Sequence, residues 1–236
     1  MQTFGDELRQ AAVLILTGDH DLWAIVLLSL RVSLTAVAAA AVIGLPLGAL
    51  LAVTRFPGRR AAIVAANAMM GLPPVVVGLA VYLALSRSGP LGVLGLLYTP
   101  SAMILAQTLL VLPILIALTR QITAELDAEY AEQLQSLGLS RLQTIPTLLW
   151  DGRVQLLTAL LAGFGRAVAE VGAVLIVGGN INHVTRVMTT TIALETSKGN
   201  LALALALGAI LILLALAVNT AVGLVGLRAE RMAAHA

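Results

Sequence analysis

The sequence predicts an all-α integral membrane protein. About five transmembrane helices are expected, with a short interfacial helix ahead of them and a polar helical hairpin between the third and fourth. Three observations carry this. The 236 residues are 59% hydrophobic and 11% charged, against roughly 25% charged in a soluble domain. Five stretches supply the ~20 mostly apolar residues that a spanning helix needs. One long polar interval, AEYAEQLQSLGLSRLQTIPTLLWDGR at 128–153, falls between two of those stretches.

The chain reads as one transmembrane domain over 1–236. Its opening, MQTFGDELRQ, lacks a basic segment followed by an apolar run, so no cleaved signal peptide is expected. Leu8, Ala11, Ala12, Ile15 and Leu16 then recur at helical spacing and predict a short helix lying in the membrane interface. The spans are expected at 23–53, 61–85, 101–119, 155–177 and 201–227. About ten residues follow Leu227, so no C-terminal regulatory domain is expected.

Lys and Arg in the loops orient the chain. Arg55, Arg59, Arg60, Arg120, Arg141, Arg153, Arg228 and Arg231 fall on one side; Arg9, Arg87, Arg186 and Lys198 fall on the other. The first side should be cytoplasmic, with the N-terminus outside and the C-terminus inside. The polar interval then faces the cytoplasm.

Within that interval, Leu126, Tyr130, Leu134 and Leu137 share one helical face over 125–137, while Glu125, Asp127, Glu129, Glu132 and Gln133 lie mostly elsewhere. Gly138 is placed as a C-terminal cap. Ser140 and Gln143 have the spacing of a capping box that opens a second helix, which Pro146 should kink or end. The expected form is helix, Gly turn, helix.

This stretch resembles the coupling loop of ABC-importer permeases, whose pattern is Glu-Ala-Ala, three residues, then Gly. Glu132 and Gly138 match at the correct spacing; Gln133 and Leu134 stand for the alanines, and the family's closing Leu-Pro falls on Trp150 and Asp151, which do not match. Two other stretches, GLPPVVVGLAVYLALSRSGPLG at 71–92 and GFGRAVAEVGAVLIVGGNINHVTRVMTTTIALETSKGN at 163–200, resemble permeases of the molybdate, tungstate and sulfate importers. The likeness covers nearly the whole chain and is nearest to the tungstate type. It implies a type I-like importer fold, a homodimer around a central pathway, a cytoplasmic ATPase subunit, and an external oxyanion-binding protein. The coupling loop would be about 121–153, with Glu129, Glu132, Gln133, Leu137 and Gly138 gripping the ATPase. Tungstate is the first substrate expected, and molybdate or sulfate the alternative within the same architecture.

Other classes fit less well. A channel or secondary carrier would need no coupling hairpin. The chain has no Gly-x-x-x-x-Gly-Lys-Ser/Thr to cradle nucleotide phosphates, so ATP hydrolysis is expected on another subunit. No catalytic constellation recurs within the spans. Without cysteine, thiol chemistry is excluded. His20, His183 and His235 show no metal-ligand spacing, and no cofactor is expected. A net charge of +2 with dispersed basic residues gives no nucleic-acid surface.

Inside the spans, Pro73 and Pro74 interrupt the second, as a packing kink or as a bend lining the pathway. Pro46 and Pro113 read as kinks. Arg166 and Glu170, four apart, can form an intramembrane ion pair, or Arg166 can attract the anion. Gly163, Gly165, Ala167 and Ala169 suit close helix approach, and Arg31 should snorkel to the interface. At the outer end of the fourth span, Gly178, Gly179, Asn180 and Thr185 are either a helix stop or weak donors to a passing oxyanion.

Overall fold

The computed structural model describes residues 4–233, and among these there is no β-strand. The helices run α1 (Phe4–Leu16), α2 (His20–Val53), α3 (Arg59–Met69), α4 (Pro74–Leu85), α5 (Pro100–Glu129), α6 (Ala131–Ser136), α7 (Arg141–Asp151), α8 (Arg153–Val168), α9 (Gly172–Gly178), α10 (Met188–Lys198) and α11 (Leu201–Ala233). A 3-10 turn at Gly92–Leu94 joins α4 to α5. Among the described residues, three helices are long and apolar enough to cross a membrane: α2, α5 and α11. The count reaches five if the broken pairs α3/α4 and α8/α9 each form one span. The second and fourth expected spans are therefore not continuous helices.

The chain divides into two compact units. Among the described residues, one comprises 4–36, 73–107 and 167–217; the other comprises 37–72, 108–166 and 218–233. The first is centred on Leu22, Ile25, Val26, Met188, Ala206 and Leu207, with Ala11 of α1 packed in. α1 exists as expected, but Leu8 and Leu16 of the expected apolar stripe point outward, and Glu7 and Ala11 are the buried residues. α2 starts where Asp19 accepts the Leu22 N–H at 2.9 Å, an N-cap. Ser29 reaches across to α10 and accepts the Met188 N–H at 2.8 Å. Ser29→Ala leaves that buried donor unmet. A loss of about 1–3 kcal/mol is expected, read as a lowered unfolding temperature of the purified protein in detergent.

In the second unit α2 and α5 pack at glycine. A Cβ on Gly48 would lie 2.7 Å from the Ile116 carbonyl oxygen and 2.7 Å from Thr119 Cβ. α8 joins them at Gly163, where a Cβ would meet Val111 at 3.0 Å. This part of the expected small-residue stripe is a seam within the chain. Pro46 and Pro113 lie inside α2 and α5, and both helices continue through them.

α2 ends with its last carbonyls satisfied by side chains from other elements. Arg59 donates Nε to Leu51 O at 2.7 Å and Nη2 to Ala52 O at 3.0 Å. Arg141 donates to Val53 O at 3.2 Å. These are orphan acceptors of a helix terminus, and cationic donors there also complement the helix dipole.

Candidate functional site: the polar hairpin and the broken spans

The hairpin is helix, Gly turn, helix, but its first helix is not the one expected. α5 continues ten residues past the expected end of the third span, to Glu129, and breaks at Tyr130 before the six-residue α6. Gly138 then takes φ +69°. Its N–H bonds to Gln135 O at 3.0 Å, and the Leu139 N–H bonds to Leu134 O at 3.3 Å. These two bonds define a Schellman cap. Ser140 and Gln143 form the capping box, with the Ser140 N–H donating to Gln143 Oε1 at 2.9 Å. α7 runs through Pro146 to Asp151, so the proline does not end it.

One face of the hairpin is anchored. Leu134 and Leu148 are buried against Ala52 and Val53 of α2, with Leu126, Tyr130 and Ile145 around them. Leu137 does not join that face. The break at Tyr130 and the turn at Gly138 carry it outward, and it is 72% exposed. Leu142 and Trp150 are also exposed, as are Glu129, Glu132 and Gln133. The hairpin thus presents both apolar and acidic side chains outward while Leu134 and Leu148 hold it to α2. Beneath it a cavity of about 630 Å³ is lined by Arg55, Arg59, Asp127, Gln135, Ser140 and Arg141, among others; Arg141 lies 3.7 Å from Asp127. The Asp151 and Glu129 carboxylates raise the Tyr130 phenol above its ordinary value. Arg141 is not legible as a support of the hairpin, because its acceptor on α2 is 88 residues away in sequence.

Pro73 and Pro74 mark a full break. Pro73 is extended at φ −63°, ψ 125°, and Pro74 is the first residue of α4, where a missing N–H costs nothing. The fourth span breaks at 169–171, with no proline. Protein groups take up the freed backbone, as hydrocarbon requires. Gln107 Nε2 donates to Ala167 O at 3.0 Å, and Thr189 Oγ1 donates to Glu170 O at 2.8 Å. Glu170 is buried, and its Oε1 accepts the Ala173 N–H at 3.1 Å, capping α9. Glu170 thus lies beyond the last turn of α8, not on the same helix as Arg166, which is half-buried. α4 and α9 then pack closely. A Cβ on Gly78 would lie 2.7 Å from Ala173 Cα, and one on Gly172 would lie 2.7 Å from Val75 Cγ2.

The stretch after α9 is a closed turn. Gly179 has φ +68°, and its N–H goes to Leu175 O. Asn180 Oδ1 accepts from Thr190 Oγ1 at 2.9 Å. Thr185 Oγ1 donates to Gly178 O and accepts the Ile181 N–H. Gly178 and Thr185 are buried. The donors expected to meet an oxyanion here are taken up within the turn, because the chain must reverse at a helix end that leaves carbonyls and amides needing partners.

Beyond it, Glu195 is buried, accepting from Lys198 Nζ at 3.0 Å and from Asn200 Nδ2 at 2.9 Å. The Lys198 hydrogen bond holds its carboxyl below the usual range, against the opposing effect of burial. A depressed carboxyl stabilises fully above the ordinary carboxylate range, and that stabilisation is lost as pH falls through the depressed value. Glu195→Gln is expected to lower the unfolding temperature near neutral pH, and to lower it less in acid. Unfolding scans of both proteins across that range check it. His20 lies beside Asp21 at 3.7 Å, both exposed; His235 lies outside the described residues.

Comparison with known proteins gives the family. Residues 44–231 match the binding-protein-dependent transport system inner membrane component. The chain belongs to that family. This permease is 39% identical to the tungstate uptake system permease protein TupB of Peptoclostridium acidaminophilum over 222 residues, 94% of this chain and 97% of that one. It is 43% identical over 196 residues to a probable anion ABC transporter permease protein of Haloferax volcanii, covering 81% and 84% of the two chains. The sulfate transport system permease protein CysW of Synechocystis is more distant, at 28% over 216 residues, 87% of this chain and 76% of that one. The permease is a multi-pass transport subunit of the inner membrane, not an enzyme. Its system includes a separate ATPase subunit and a substrate-binding protein.

Proposed function

We propose that this permease carries tungstate inward through the cytoplasmic membrane as a homodimer, driven by an ATPase that grips the polar hairpin. The observation that carries the substrate is the near full-length similarity to the permease of a tungstate uptake system. The observation that favours the mechanism is the hairpin itself. Its inner face is fixed to α2 by Leu134 and Leu148, while Leu137, Leu142 and Trp150 stand exposed beside Glu129, Glu132 and Gln133. A rigid handle of this kind converts movement of a partner into movement of the spans. The arginine distribution supports a cytoplasmic hairpin, with the N-terminus outside and the C-terminus inside. In this reading the chain is a single permease domain, and the Pro73–Pro74 break lines the pathway. The turn at Gly178, Gly179, Asn180 and Thr185 acts as a fixed closure of the outer end. Arg166 and Glu170 have structural roles at the second break.

The similarity to sulfate permeases favours molybdate or sulfate as the second reading. The test is metal accumulation by mass spectrometry in cells lacking the permease and in cells with it restored, each oxyanion supplied singly at low concentration. Tungsten uptake that follows the gene is the expected result. Molybdenum or sulfur uptake without tungsten moves the substrate and keeps the mechanism.

A further inference from the structure

We propose that one anionic phospholipid is held at the elbow between α2 and α3, its headgroup on an arginine cluster and an acyl chain in the crevice beside it. The elbow reads Thr54-Arg55-Phe56-Pro57-Gly58-Arg59-Arg60. Gly58, at φ +88°, turns the chain into α3. A cavity of about 310 Å³ here is lined by Arg55, Phe56, Gly58, Arg59 and Arg60, with no acidic residue. Arg59 is held in place by its bonds to the end of α2. Arg55 and Arg60 are exposed. Asp127, across the neighbouring cavity, faces Arg141.

Next to this cluster runs a crevice of about 470 Å³ with a wholly apolar lining that includes Leu47, Leu51, Phe56, Ala66, Met69 and Pro113. Phe56 borders both spaces. Two features say what fits. The charge at the mouth is all positive, and Arg59 and Arg60 stand in the first turn of α3, with no acidic residue in that turn. A helix dipole disfavours cations there, so an anion relieves both the dipole and the mutual repulsion. The space behind the charge admits only apolar groups. A phosphate ester on a hydrocarbon chain satisfies both features at once. Free phosphate would leave the crevice unfilled, and a neutral lipid would leave the arginines unmet.

The test uses the permease purified with its ATPase in nanodiscs containing phosphatidylcholine and phosphatidylglycerol in equal amounts. Lipid retained after detergent exchange is read by native mass spectrometry. Retention of phosphatidylglycerol over phosphatidylcholine is expected. Arg55→Gln with Arg60→Gln should reduce it on the order of tenfold, given the attraction of each arginine for an anionic headgroup. Ala66→Trp, which fills the crevice and keeps every charge, should reduce it comparably. Co-purification of the ATPase and an unchanged unfolding temperature show that the variants are folded. Equal retention of both lipids by the unmodified protein overturns the proposal. So does Ala66→Trp with undiminished phosphatidylglycerol, which reduces the effect to surface charge. A cysteine at position 66 that cross-links to a second copy or to the ATPase also overturns it, by placing protein in the crevice. None of these readouts depends on which oxyanion is carried.

Discussion

Leu137→Asp is expected to abolish ATP-driven uptake while leaving the permease inserted and as stable as before. Leu137 is 72% exposed and belongs to no core cluster of the hairpin, so folding has little to lose. Docking has much to lose. Burying a leucine against a partner contributes about 1.5–3 kcal/mol, and an aspartate in its place adds the cost of removing a charge from water. A combined loss of ~3 kcal/mol is about a hundredfold in affinity. Co-purification of the ATPase should fall with uptake. Leu134→Asp, only three residues earlier, should behave differently. Leu134 is buried on α2, so that change should destabilise the hairpin itself and lower the unfolding temperature. Gly138→Val should lie between the two. It forces a β-branched residue into the left-handed region at about 1–2 kcal/mol and re-aims Leu137 without removing it. Leu137→Asp cells that still accumulate the oxyanion normally would contradict the role given to this face.

The second large effect is expected at the α4–α9 contact. Gly78→Val should sharply reduce the amount of folded permease. Its Cβ would stand 2.7 Å from Ala173 Cα and 3.2 Å from the Ala173 carbonyl oxygen. Backbone cannot yield as a side-chain tip can, so a cost of about 3 kcal/mol is expected, the upper end of overpacking effects. Gly172→Ala meets Val75 Cγ2 instead, and trimming Val75 to alanine should restore much of what is lost. Membrane abundance and unfolding temperature of the single and double variants measure both. Rescue at 172 with none at 78 is the expected pattern; a well-folded Gly78→Val protein would contradict the tight packing of the two half-helices.

What the sequence reveals and what it hides divide along physical lines. Lipid selects apolar composition directly, so the spans are visible as runs. The Gly138 cap and the Ser140–Gln143 capping box are local, made of residues three to five apart, and they form as expected. The break at Pro73–Pro74 also announces itself. The break at 169–171 does not, because its supports are tertiary: Gln107 and Thr189 approach from distant segments. The outward turn of Leu137 is hidden for a similar reason. Helical periodicity carries Leu126, Tyr130, Leu134 and Leu137 on one face only while the helix is unbroken, and it breaks at Tyr130. Pro146 reads as a kink or an end of α7; the helix continues through it, and burial of Thr144 and Leu148 on either side outweighs one missing N–H. The arginines that close α2 cannot be read from periodicity at all.

The most direct test is photo-cross-linking in intact cells, with a photoreactive amino acid placed in turn at Leu137, at Leu148 and at Val93, the last being exposed on the turn between α4 and α5. An adduct of the permease with an ATPase subunit is predicted from position 137. None is predicted from buried position 148, and none from position 93, which should contact membrane or an extracytoplasmic protein. An ATPase adduct from position 93, or none from position 137 in a transport-competent protein, would contradict the assignment of the hairpin as the coupling element.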